Sequence, residues 1–264
     1  MKTTNRDATI IVATHKKYRM PASRLYLPLQ VGAAGKTPLG YPLDSAGKNI
    51  SRKNPNFCEL TGLYWAWQNL SSQYIGLVHY RRHFTTRRFT FGKNKFKYIL
   101  TASDAKQLLQ KSPIILPKKR HYFIESLYSH YVHTMYAEPL ELTGQIISEK
   151  YPDYYPEFQK FHRRTSGHMF NMLIMRRDLL NDYCAWLFDI LFELERRLGR
   201  THYNQFHARF YGRISELLLD VYLRTNHLQY TELPVLNTER INWPRKIRAF
   251  LAAKFKGVRY EESF

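Results

Sequence analysis

Residues 8–18 read ATIIVATHKKY. A run of β-branched and small apolar residues with no turn former predicts a buried strand. It stops abruptly in Thr14, His15, Lys16 and Tyr18, and polar or basic residues directly after such a strand mark the carboxyl edge of a parallel sheet, where these folds bind ligands. The pattern returns at 74–83, YIGLVHYRRH, an apolar run ending in His79, Tyr80, Arg81 and Arg82. Between the two lies FCELTGLYWAWQNL (57–70), with Phe57, Leu60, Tyr64 and Trp67 at helical spacing and with Asn56 and Glu59 spaced as a capping box. Strand, loop, helix, strand is the rhythm of a βαβ unit, so the chain is expected to be an α/β protein with a mostly parallel central sheet.

Working outward, residues 32–54 are rich in Gly, Pro, Ser and Asn and read as a long loop of the kind that is usually functional. Residues 79–97 carry Arg81, Arg82, Arg87, Arg88, Lys93, Lys95 and Lys97 with no acid, a basic flap. A capped helix over 103–111 and a strand over 113–117 deliver Lys118, Lys119 and Arg120. Residues 168–175 read as a strand interrupted by Asn171 and followed by Arg176 and Arg177. Helices over about 178–197 and 204–226 make the C-terminal half helix-rich. No linker interrupts residues 1–239, which are read as one domain. The remaining stretch, 240–264, is a basic amphipathic tail that suits either an anionic membrane surface or docking on its own domain.

The chain has 264 residues and a formal charge of +20, with 44% apolar and 15% aromatic residues. That composition supports a packed core and excludes a disordered chain, while the charge calls for an anionic partner. The N-terminus is neither a signal peptide nor an anchor, and no run approaches the length of a membrane span. Cys58 and Cys184 have no metal-ligand spacing and fit packed thiols in a reducing compartment. Neither a P-loop nor a G-x-G-x-x-G motif occurs; H-E-x-x-H and Asp-x-Asp are absent as well, so no metal site is assigned.

Four basic clusters stand at expected strand ends: Thr14-His15-Lys16, His79 to Arg82, Lys118 to Arg120, and Asn171 with Arg176-Arg177. At one sheet edge they would converge on a crevice suited to a diphosphate. On the helix over 209–222, Arg209, Arg213, Glu216 and Asp220 share a face. That face either lines an active site, with Glu216 as a general base, or is an exposed charged surface. A nucleic-acid-binding protein and a non-catalytic subunit of a polysaccharide-assembly complex are the rival readings of the basic, aromatic-rich loops.

The segments THKKY, GKNIS, ELTGLYWAWQN, YIGLVHYRRHF, ILPKKRHYF, FNMLIMRRDLLNDYCAWLFDIL and RFYGRISELLL, in this order over residues 8–236, resemble a family of bacterial capsular and exopolysaccharide glycosyltransferases long catalogued as a domain of unknown function. The resemblance implies a GT-A-like, Rossmann-related fold. It also implies transfer of a hexose, galactose in pyranose or furanose form, from a UDP-sugar to a saccharide acceptor on a lipid carrier, in capsule or O-antigen synthesis. It places Thr14, His15, Lys16, Tyr18, Asn49, His79, Tyr80, Arg81, Arg82, Lys118, Asn171 and Arg209 around the donor and Glu216 in the catalytic role. His79 to Arg82 stand where GT-A enzymes usually carry Asp-x-Asp, so basic side chains are expected to take over part of the work of a Mg²⁺ or Mn²⁺ ion. The UDP-sugar is a co-substrate and no resident cofactor is expected. The implied location is cytoplasmic, peripheral on the inner face of the membrane.

Overall fold

The computed structural model describes residues 7–92 and 94–239; the expected tail at 240–264 lies outside the described residues. In chain order the strands are β1 (Ala8–Thr14), β2 (Tyr26–Gln30), β3 (Tyr74–His79), β4 (Arg82–Phe84), β5 (Ile114–Pro117), β6 (Arg120–His121), β7 (Ser166–Gly167), β8 (Leu173–Arg176), β9 (Thr231–Leu233) and β10 (Val235–Asn237). The helices are α1 (Asn54–Phe57), α2 (Leu60–Asn69), α3 (Ala102–Lys111), α4 (Leu127–Thr134), α5 (Glu138–Lys150), α6 (Tyr155–Phe161), α7 (Arg177–Leu198) and α8 (Phe210–Thr225). None of the described helices is long and apolar enough to cross a membrane.

The chain divides into two compact units and passes between them after Lys118, Met169, Cys184 and Leu228. The first unit holds an eight-stranded sheet. β1 lies between β2 and β3 and is parallel to both; β8, β5 and β9 continue outward from β3, and the β3–β4 hairpin brings in β10. β8 and β4 run against their neighbours, while β1, β2, β3, β5, β9 and β10 all point one way. The sheet is therefore mostly parallel, and the fold is α/β as expected from the strand endings.

Burial on both faces explains the unbroken apolar text of β1. Ile10 and Val12 join Val78, Ile115 and Ile174 in one core cluster, while Ile11 and Leu29 face Gly62 on α2. At Gly76 a side chain would sit 3.0 Å from the Leu173 carbonyl oxygen and from Ile174, so glycine lets β8 approach β3.

Three local expectations change. No capping box forms at Asn56 and Glu59: the helix breaks at Cys58, whose φ of 52° separates α1 from α2, and the Glu59 side chain caps nothing. The buried face of α2 is Leu60, Leu63 and Ala66, with Tyr64 and Trp67 only partly covered. The strand expected over 168–175 is only β8, because Phe170 and Asn171 adopt left-handed φ values of 78° and 52°. Since β8 is antiparallel, its start lies at the carboxyl edge of the parallel strands and its end at the other edge. Arg176 pairs opposite Tyr74, the first residue of β3, and forms a bidentate ion pair with Asp178, so Arg176 and Arg177 leave the expected crevice.

The second unit gathers α4, α5, α6, α8, the Ala185-onward part of α7, and the β6–β7 pair. Trp186 stacks on Tyr154 at 4.9 Å and meets Tyr222 at 5.3 Å, tying α7 and α8 together.

Candidate functional site

The site in the first unit is built at the carboxyl edge of β1 and β3. Thr14 ends β1 and is buried; its hydroxyl donates to the Lys16 carbonyl at 2.7 Å and accepts the Lys16 N–H, which turns the chain sharply. The turn presents His15, Lys16 and Tyr18 to Tyr80, which follows β3. The Tyr80 ring meets His15 edge-on at 5.4 Å and Tyr18 at 4.9 Å, and the Lys16 ammonium lies 4.9 Å over its face. The Tyr18 hydroxyl pairs with Thr238 at 2.9 Å, and Glu239 lies 3.7 Å from both Lys16 and Arg81. Side chains from three distant parts of the chain thus meet at one edge.

Beside them, the imidazole of His79 donates from Nε2 to the Phe170 carbonyl at 2.6 Å, and the Arg82 guanidinium covers the Phe170 ring at 4.6 Å. Burial pushes the His79 pKa below its ordinary value, against the opposing pull of Glu59 and the Phe170 carbonyl, so the ring is neutral at pH 7. Asn171 donates to Glu59 at 2.7 Å across 112 residues. The carboxylate that sequence spacing assigned to a helix cap instead orients an amide at the sheet edge.

Of the expected donor residues, Thr14, His15, Lys16, Tyr18, His79, Tyr80, Arg81, Arg82 and Asn171 are gathered here. Lys118 follows β5, which points the same way as β1 and β3, and its side chain is exposed at that edge of the sheet. The Asn49 amide donates to the Ser45 and Gly47 carbonyls and holds its own loop. That loop is pinned by Asp44, fully buried, which accepts from the Gly32 and Ala33 N–H groups and from the Ser51 and Thr61 hydroxyls. No spacing rule singled out Asp44, and spacing offered Glu59 only as a helix cap.

Arg209 and Glu216 belong to the second unit, Arg209 exposed just before α8 and Glu216 buried within it. The charged face of α8 is therefore buried at Glu216 and Asp220 and open to solvent at Arg209 and Arg213. Glu216 sits 3.6 Å from Arg213, and Asp220 accepts from both the backbone N–H and Nδ1 of the fully buried His168, at 2.9 and 2.8 Å. Burial alone would raise the Asp220 carboxyl, but the His168 hydrogen bonds hold it below its ordinary value. In the same unit Glu125 receives His130 at 2.6 Å and His133 at 3.2 Å, one on each oxygen. Burial works against the Glu125 charge, yet the two imidazoles lower its pKa. These pairs were not legible in the sequence, where His168 and Asp220 stand 52 residues apart. Among the described residues, no group of three or more His, Cys, Asp or Glu side chains is placed to hold a metal ion.

A family model described as a domain of unknown function, DUF4422, matches residues 9–227. No curated protein sequence matches the chain. A solved structure, the apo form of the bifunctional glycosyltransferase WbbM, is similar at a TM-score of 0.83 and 29% identity over 89% of this chain. The match occupies 46% of the WbbM chain, so the protein spans about half the length of that relative.

Proposed function

The chain belongs to the DUF4422 family, and from that premise we propose that it is a glycosyltransferase that draws a hexose, galactose first, from a UDP-sugar. The observation that carries this reading is the convergence of Lys16, Tyr18, His79, Arg81, Arg82 and Asn171 at the carboxyl edge of β1 and β3, in a chain whose fold matches half of a bifunctional glycosyltransferase. A diphosphate bound at that edge would accord with the GT-A-like reading. The cations there suit the charge that develops on a leaving diphosphate.

In an inverting displacement, an acceptor hydroxyl oxygen attacks the anomeric carbon, the bond from that carbon to the diphosphate oxygen breaks, and UDP departs with the electron pair. Lys16, Arg81, Arg82 and Lys118 stabilise the departing charge, and neutral His79 holds the Phe170 turn that seats Asn171. The acceptor's proton goes to a carboxylate, and Glu216 is assigned that role. A saccharide on a lipid diphosphate in capsule, exopolysaccharide or O-antigen synthesis fits as acceptor, since its anionic carrier suits the +20 charge.

The test is UDP release from a panel of UDP-sugars, with and without EDTA. UDP-galactose turnover that survives EDTA supports basic stabilisation of the leaving group; strict dependence on Mg²⁺ or Mn²⁺ overturns that part. Arg81→Gln with Arg82→Gln should weaken UDP binding at least about tenfold. A protein stabilised by a single-stranded oligonucleotide and by no nucleotide sugar would be a nucleic-acid binder instead.

A further inference from the structure

The described residues between Phe84 and Leu100 belong to a loop whose ends are closed by the Leu100 N–H donating to the Phe84 carbonyl at 2.8 Å. Its base is anchored: Phe96 lies beneath the Arg19 guanidinium at 4.5 Å and beside His83, the Lys95 ammonium donates to the Asn237 carbonyl at 2.7 Å, and the Tyr98 hydroxyl donates to the Phe91 carbonyl. The tip is not covered. Phe89 is 66% exposed and Phe91 74%, and Arg87, Arg88 and Lys97 are exposed around them. Among the described residues Phe123 and Ile124 are the other large hydrophobic side chains that stand exposed. The surrounding sequence is one-signed, with no Asp or Glu from residue 60 to residue 103.

Two phenyl rings held away from the core by an anchored loop, in a field of arginine and lysine, match an interface that is apolar a few ångströms below a layer of negative charge. We propose that the 85–99 loop inserts Phe89 and Phe91 into the headgroup boundary of an anionic lipid bilayer, with Arg87 and Arg88 on lipid phosphates. The Arg88 guanidinium stands over one face of Phe89 at 5.4 Å and takes that face from a stacking base. In a bilayer the same stacking lets the ring enter while its cation stays at the phosphate layer. This surface goes beyond the catalytic reading and is measured with no sugar donor present, so either can fail without the other.

The experiment is sedimentation of the full chain with vesicles of phosphatidylcholine alone and with about a third phosphatidylglycerol, at low salt. The protein should partition onto the anionic vesicles and not the neutral ones. Arg87→Gln with Arg88→Gln should lower the partition coefficient about 30-fold, roughly fivefold per charge. Phe89→Ser with Phe91→Ser should lower it at least about tenfold while melting temperature and UDP binding stay unchanged. Because the 240–264 tail is present throughout, these ratios isolate the loop. Phe91→Trp adds a direct reading: its fluorescence should be quenched by lipids brominated near the headgroup end of the acyl chain. Unchanged partitioning of the phenylalanine variant, no quenching, or loss of oligonucleotide rather than vesicle binding in that variant would each overturn the proposal.

Discussion

At the carboxyl edge of β1 and β3, Lys16 and Arg81 share Glu239 at 3.7 Å, with the Lys16 and Glu239 side chains 48% and 39% exposed. On α8, Asp220 takes two hydrogen bonds from His168, which water does not reach. Both are ion-pair arrangements on paper. The first is screened and contributes at most about 1 kcal/mol, so a phosphate can replace Glu239 at little cost. The second cannot exchange partners with solvent, and removing either member leaves a buried polar group unsatisfied. The first unit thus keeps its cations available, whereas the second uses its acids to lock helices and strands together. Glu216 is the group on which this division depends, since it is buried like a structural acid yet assigned to chemistry.

Glu216→Gln is accordingly the sharpest break. Turnover should fall about 1000-fold with UDP affinity and melting temperature preserved, as single-turnover and titration measurements would show; a large loss of stability with modest loss of turnover would return Glu216 to the structural acids. Asp220→Ala should destabilise the fold by about 3 kcal/mol in urea unfolding, and Asp220→Asn by less because it keeps one acceptor oxygen. His83 tests whether the first unit also contains a buried titratable lock. Burial holds its pKa down to about 4, and its Nδ1 has no hydrogen-bond partner. The unfolded chain takes up that proton near pH 6.5 and the folded one only near pH 4. Stability is therefore lost as pH falls through that window, by about 2 kcal/mol between pH 7 and pH 5. His83→Phe should remove that part of the acid sensitivity, and an unchanged pH dependence would refute it. The smallest effect belongs to Glu239→Gln, which should change stability by less than about 1 kcal/mol and leave UDP binding equal or tighter.

How much of this was legible depends on the range of the signal. β1, β3 and β5 announced themselves by continuous apolar runs that stop at charged residues, and the α7 stripe of Leu180, Tyr183, Leu187, Ile190, Leu191 and Leu194 is buried throughout. The basic residues after β1 and β3 were found for the same reason. β8 was misplaced because the left-handed Phe170 and Asn171 leave no trace in hydrophobic period. Glu59 was read as a cap because spacing alone cannot show that its carboxylate faces Asn171.

By itself the sequence determined the fold class, the direction in which β1 and β3 end, and the surplus of cations placed there. All three follow from residue order over spans shorter than a helix. Only the tertiary structure decided that β8 runs backwards and so brings Asn171 to the edge while carrying Arg176 away. It also decided that Asp220 belongs to His168, that Glu125 bridges two histidines, and that Phe89 and Phe91 stand uncovered. Strand direction and side-chain partnership depend on which distant segments pack together, and that is settled by burial and hydrogen-bond satisfaction over the whole chain rather than by neighbours in sequence.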